Sequence, residues 1–583
     1  MRHPIWAAML LGCVSVLASG SAQAQAQAEG TGAETSEAVA SEPTAEPGLG
    51  MNLAYLRDWS SAQPFLDVMK AARRWIGHKP GQWGGVSYES LMAQDLLDEQ
   101  GWPKRVPGDL GSIGTVILTD LPPEAEIFAG EYLLRFKGEG IVEVSGRAQN
   151  VRYGKGEVRF EFTPGSGPVV IRIQRSDPFG KGDHLRDITV VKREHLAAYE
   201  AGAVFHPAYL KVLQGLDTLR FMDWGNTNNS RLASWDDRAR VDDFSYTRQG
   251  VPYEVMQQLA GAVGADVWIT LPHLAEDAYA RGACRLLREA VPENGRVYVE
   301  YSNEVWNWTF DQAEWAAEQA LALWGDRDQG TQFYGMRAAQ VADICAEAFG
   351  PEQREQLVNV IATQTGWLGL EKGILTAPLW RDKGPGYRPP HESFDAYAVT
   401  GYFGVLGSDK RRDMVRQWIE DSAEAARAAG APAGLGGEAL EAHVARHRYD
   451  LAVGRATDEL VSGALSGDAE GSLNDLRDRV FPYHAGIARE YDLDLIMYEG
   501  GTHVVGIGAG VDDPELTAFF THLNYTAEMG MLYARLIADW RAAGGGLFTH
   551  FNEIQKPGKW GSWGALRYLG DDTARWQVLE AAK

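Results

Sequence analysis

The chain has 583 residues, 45% of them hydrophobic and 23% charged, so it is long enough for more than one domain and reads as an ordinary globular protein. Its 55 Lys and Arg face 79 Asp and Glu, a formal net charge of -24 that argues against nucleic acid or an anionic membrane surface as a partner. Its 19 tryptophans are many for this length; such residues are usually core, but beside candidate acids they also suit the apolar faces of sugars.

At the N-terminus, Arg2 and His3 precede the apolar run Ile5 to Ala18, and Ala22-Gln23-Ala24 offers a small-x-small cleavage site. Residues 1–24 therefore read as a signal peptide, which predicts a periplasmic or extracellular protein. Cys13 follows Leu10-Leu11-Gly12, a poor lipoprotein box because Leu11 is bulky, so lipidation is the less favoured reading. No later apolar stretch approaches bilayer length, so no membrane insertion is expected after cleavage. Residues 25–48, rich in Ala, Glu, Ser and Thr, read as a disordered linker. Cleavage leaves Cys284 and Cys345, both in helical patterns. Two buried free thiols are the favoured reading and a single disulfide the alternative.

A strand pattern at Met51 to Tyr55 and a helical pattern at Pro64 to Trp75 make residues 49–81 a first βα unit. Residues 82–200 then turn to short alternating strands between Gly and Pro: Ile113 to Thr119, Glu131 to Lys137, Ile141 to Ser145, Val158 to Thr163, Val169 to Gln174 and Asp187 to Val191. That spacing predicts an inserted β-sandwich. From 201 to 583 strands and helices alternate. The strands are Leu216 to Met222, Ala265 to Thr270, Val297 to Tyr301, Leu357 to Thr363, Ala396 to Gly401, Leu493 to Tyr498 and Gly546 to Phe551, with a helical insertion over about 405–475. Counting the first, eight β segments separated by helices predict an α/β fold, a (β/α)8 TIM barrel.

Two of these strands end in acids. The alternating run Val297, Val299, Tyr301, read as a half-buried strand, ends in Asn303-Glu304, with Trp306 and Trp308 just beyond. The run Leu493 to Tyr498 ends in Glu499 and a glycine turn. In a parallel barrel all strand C-termini line one mouth, so Glu304 on the fourth strand and Glu499 on the seventh face each other across it. Two carboxylates so placed, about 5 Å apart, are the minimum kit for glycoside hydrolysis with retention.

Asn-Glu ending strand four and Glu ending strand seven resemble clan A of the glycoside hydrolases, the retaining (β/α)8 enzymes, over roughly Gly48 to Tyr55 and His206 to Lys583. The early insertion and the helical excursion depart from a minimal member of that clan. The resemblance implies Glu304 as acid/base, Glu499 as nucleophile, Arg220 as the strand-two arginine, and Asn303 as the residue bonding the sugar 2-hydroxyl. An acid needs an apolar or negatively charged setting, which Trp306 or Trp308 and the Glu499 carboxylate can supply. A nucleophile needs donors to its anion, for which Arg220 and Tyr402, after strand six, are candidates. Arg220 has an alternative as ion-pair partner of Asp217 or Asp223.

Further substrate contacts are expected at His273, after strand three, at Trp224, after strand two, and at Trp560 and Trp563, after strand eight. Each has a packing alternative. Glu553 is a third carboxylate near the mouth, able to bind a sugar hydroxyl or pair with Lys556. His443 and His447 stand four apart, as helix-borne metal ligands can, but Val444 and the lack of a third ligand favour a solvated helix face. No phosphate-cradling loop, dinucleotide fingerprint or complete metal set is found, so no cofactor is implied. The expectation is an exported retaining glycoside hydrolase acting on a β-linked oligo- or polysaccharide, with the insertion a buttress rather than a binding module. Its rivals are a catalytically silent glycan-binding barrel and a furanosidase using the same carboxylate pair.

Overall fold

The computed structural model describes residues 48–583 except 385, 405 and 431; the expected leader, Cys13 and the linker through residue 47 lie outside the described residues. Eight parallel strands close into a barrel: β1 (Leu49–Asn52), β2 (Thr218–Arg220), β3 (Asp266–Leu271), β4 (Val297–Tyr301), β5 (Leu357–Ala362), β6 (Ala396–Phe403), β7 (Asp494–Thr502) and β8 (Phe548–Phe551). Closure runs through β1, which pairs Asn52 with Arg220 of β2 on one side and with Phe551 of β8 on the other. The expected barrel is therefore present. All five residues of β4 are buried, so the alternation of Val297, Val299 and Tyr301 does not mark a wet face. Packed side chains fill the inside of such a barrel and helices cover the outside.

The first unit departs from expectation. Pro64 to Trp75 forms no α-helix, only a four-residue 3-10 turn at Val68–Ala71. Tertiary contacts override the local pattern there. The Asp67 carboxylate accepts from Met69 N at 3.1 Å and from Val190 N at 2.8 Å, tying the segment to the inserted sheet. The helix that follows β1 comes only after the insertion, at Pro207–Leu213, with proline in its first turn and His206 capping it.

Between them lie two antiparallel sheets. One has four strands in the order Arg186–Lys192, Gly130–Lys137, Glu157–Phe162, Gln149–Gly154. The other has five: Gly85–Val86, Ile76–His78, Ser112–Ile117, Val169–Ser176, Gly140–Gly146. The six strands expected from alternation are all there, and three more were not legible. Gln149–Gly154 is an edge strand with almost every residue exposed, so it carries no hydrophobic period.

The insertion reaches the barrel mouth through one buried carboxylate, Asp58 in the loop after β1. Arg73 grips it with Nε at 3.0 Å and Nη2 at 2.8 Å, and Thr119 Oγ1 donates at 2.5 Å. Thr119 N also donates to the Asp58 carbonyl at 2.8 Å.

Cys284 and Cys345 are not free thiols. They form a disulfide, with Cα atoms 5.3 Å apart, joining helix Asp277–Ala290 to helix Gly330–Gln353. The helical excursion consists of Asp409–Gly430, Gly437–His447 and Asp450–Ser462, and His447 Nδ1 pairs with Asp450 at 2.8 Å. No helix among the described residues is long and apolar enough to cross a membrane. The disulfide spans a sequence separation of 61 residues. Replacing both cysteines by serine is expected to lower the unfolding free energy by about 2–4 kcal/mol in urea titrations. Reductant should destabilise the parent to a similar extent and leave the double variant unchanged.

Candidate active site

At the end of β4 the chain twice adopts left-handed backbone without glycine, at Ser302 (φ 62°) and at Glu304 (φ 43°). Such conformations cost about 1–2 kcal/mol per residue and persist only where surrounding contacts impose them. Here Gln312 Nε2 donates to the Asn303 carbonyl at 2.8 Å, and Asn307 N donates to the Glu304 carbonyl at 2.8 Å. The Glu304 carboxylate is oriented by two donors, Tyr498 OH at 2.8 Å and Asn307 Nδ2 at 2.9 Å.

Glu499, on β7, is held from two sides. Arg220 Nη1 donates to Oε1 at 3.0 Å and Tyr402 OH donates to Oε2 at 3.0 Å. Arg220 is fully buried and spends its remaining hydrogens on neighbours. Nη1 reaches Asn52 Oδ1 at 2.9 Å and Nη2 reaches Asn303 Oδ1 at 2.9 Å, while Nε and Nη2 reach Glu300 Oε2 at 3.2 and 2.9 Å. The guanidinium lies 5.2 Å from the Trp268 ring and 5.1 Å from the Tyr498 ring, a cation–π arrangement on each. Of its two sequence readings, then, Arg220 pairs with neither Asp217 nor Asp223 but with Glu300 and Glu499.

Burial pushes the Glu499 carboxyl above the ordinary carboxylate range; Arg220 opposes this, the Glu304 charge adds to it, and the Tyr402 hydrogen bond opposes it again. Sequence reasoning predicted an anion held low by its donors. In the free cavity, removal from water outweighs them.

The cavity has a volume of about 240 Å³, and Glu304 and Glu499 both line it. Asn303, Tyr402, Trp560 and Trp563 also line it, and Arg220 lies beneath, in contact through Glu499 and Asn303. Three expected contacts do not line it. Trp224 is buried against Phe65 and Phe221. His273 is buried against Trp315, its carbonyl accepting from Tyr301 OH. Trp306 packs edge-on against Tyr334. The two indoles thereby remove more apolar surface from water than they would at the mouth.

Trp308 does not shelter Glu304 either; it is 60% exposed, with Arg327 over its ring. Glu553 turns inward to Ala54 N at 2.7 Å and Tyr209 OH at 3.0 Å rather than to Lys556.

Sequence reasoning missed several residues of the site. Glu300 carries a legible signal, a charge in the middle of a strand buried on both faces. Tyr55, Arg57 and Trp59, in the loop after β1, line the cavity with nothing in the sequence to mark them. Asp223, Asn228 and Asn307 line it too.

No protein-family model matches the chain, and no curated protein matches it in sequence. Among solved structures it is similar to a fungal β-1,4-galactanase, at 11% identity over 66% of this chain and 96% of that one, with a TM-score of 0.32. It is also similar to a broad-specificity endoglucanase from Bacteroides salanitronis, at 8% identity over 65% of this chain and 85% of that one, with a TM-score of 0.33. A double mutant of the Cellulomonas fimi endo-β-1,4-mannanase is similar at 10% identity over 56% of this chain and 55% of that one, with a TM-score of 0.27. At such distances these neighbours assign no activity, and function is read from the cavity's own residues.

Proposed function

We propose that the protein is a retaining glycoside hydrolase that cleaves a β-linked oligo- or polysaccharide at the mouth of the barrel. The observation that carries this reading is a single cavity lined by two carboxyl groups, one just past the end of β4 and one on β7, each with its own donors. Glu499 attacks the anomeric carbon as the glycosidic C–O bond breaks, and Glu304 gives its proton to the departing oxygen. Glu304 then takes a proton from water, whose oxygen attacks the same carbon and releases Glu499. Arg220 holds one oxygen of Glu499 and Tyr402 the other, which fixes the nucleophile for in-line attack. Asn303 spends one amide hydrogen on Asn228 Oδ1 at 3.1 Å, leaving the other for the sugar 2-hydroxyl. The buried disulfide supports export to an oxidising compartment.

Glu499→Gln is expected to lower kcat/KM by roughly 10³-fold or more on any substrate the parent cleaves. Full activity in that variant would exclude Glu499 as nucleophile. Glu304→Gln should lose about 10²–10⁴-fold on glycosides with poor leaving groups and far less on nitrophenyl glycosides. NMR of the first-formed product anomer should give retention; inversion removes the covalent route.

The pH profile carries a sign. Attack needs ionised Glu499, and its raised pKa means the anion accumulates only as pH climbs above the ordinary carboxylate range. The acidic limb of kcat/KM should therefore lie above that range. Tyr402→Phe removes a hydrogen bond that favours the anion and should move the limb to higher pH; a limb moved to lower pH would contradict the assignment.

A further inference from the structure

We propose that Asp223 selects the sugar unit held against Glu499, taking its ring hydroxyls in hydrogen bonds together with Arg57. This rests on the glycosidase reading above and adds to it a residue that no step of the double displacement uses. Asp223 is only 5% exposed, yet it lines the same cavity as Glu304 and Glu499. Tyr55 and Arg57 lie close enough to influence its carboxyl, Arg57 opposing its protonation, and both residues also line the cavity.

Asp223 is held by its backbone. It sits on a tight turn after β2, where Gly225 N donates to Phe221 O at 2.7 Å and Asn226 N donates to Asp223 O at 3.1 Å. The next residue, Trp224, is locked in the core, and its carbonyl accepts from Val251 N at 2.7 Å. This gives Trp224 a part in the site after all, as the anchor of the turn that presents Asp223.

A carboxyl in such a wall is costly to the fold. Burial, then the nearby Glu499 charge, push it well above the carboxylate range, with Arg57 opposing. Stability therefore does not account for it. A carboxyl and a guanidinium lining one cavity offer acceptors and donors to the hydroxyls of a sugar ring.

The test is a cycle between enzyme and substrate. The kcat/KM of the parent, Asp223→Ala and Asp223→Asn is measured on a nitrophenyl glycoside that the parent cleaves and on its monodeoxy analogues. Loss of the recognised hydroxyl should cost the parent about 10- to 100-fold and Asp223→Ala under about threefold, with the leaving-group dependence unchanged. A purely structural Asp223 would lower every rate by one factor and leave the deoxy pattern intact, which overturns the assignment. Asp223→Asn keeps groups that can bond a hydroxyl and should retain part of the deoxy penalty; if the alanine variant does not fold, Asp223→Val, which cannot bond a hydroxyl, gives the answer. A parent that cleaves no glycoside overturns the glycosidase reading and this inference with it. A cleaving parent whose deoxy pattern survives Asp223→Ala or Asp223→Val overturns the Asp223 assignment alone.

Discussion

The hydrogens of one buried guanidinium tie four strands of the barrel together. Arg220, on β2, bonds Asn52 of β1, Glu300 of β4 and Glu499 of β7, and it reaches Asn303 just past the end of β4. Trp268 of β3 closes the ring by donating to Glu300 at 3.0 Å and lying against the guanidinium. A lysine has neither the number of hydrogens nor their fixed fork, so it cannot meet this set of acceptors. Without the guanidinium two carboxyl groups would be left in the interior with no cation to offset them, and burial already pushes both above the usual range. The two ends of the candidate catalytic pair, Glu499 directly and Glu304 through its neighbour Asn303, are both positioned from this one group.

Around that hub the chain departs from its local preferences. Ser302 and Glu304 take left-handed backbone, Glu300 puts a charge inside a strand that is apolar elsewhere, and Glu499 sits where water is largely excluded. Each departure costs free energy, and the closed sheet and its covering helices offset it.

How much of this was legible in the sequence follows from where the signal lies. The strands announced themselves as short apolar or alternating runs separated by helical patterns, and Asn303-Glu304 and Glu499 were visible as acids that end such runs. Rings were harder. Trp560 and Trp563 do line the cavity, whereas Trp224 and Trp306, equally close to strand ends, turn into the core; spacing along the chain does not tell these outcomes apart. The missing helix at Pro64 to Trp75 and the pairing of Cys284 with Cys345 both depend on contacts between segments far apart in the chain. Asp223 stayed hidden because a loop acid is ordinarily a solvated one.

Asp58 links the two parts of the molecule in a way their boundaries conceal. Its carboxylate is gripped by Arg73 and Thr119, and the loop that carries it also carries Tyr55, Arg57 and Trp59 into the cavity wall. The two inserted sheets are thus not an appendage that could be trimmed to leave a minimal enzyme. Excising them would cut the cavity wall loose from its mooring, and any shorter ancestor or engineered derivative must supply another clamp for that loop.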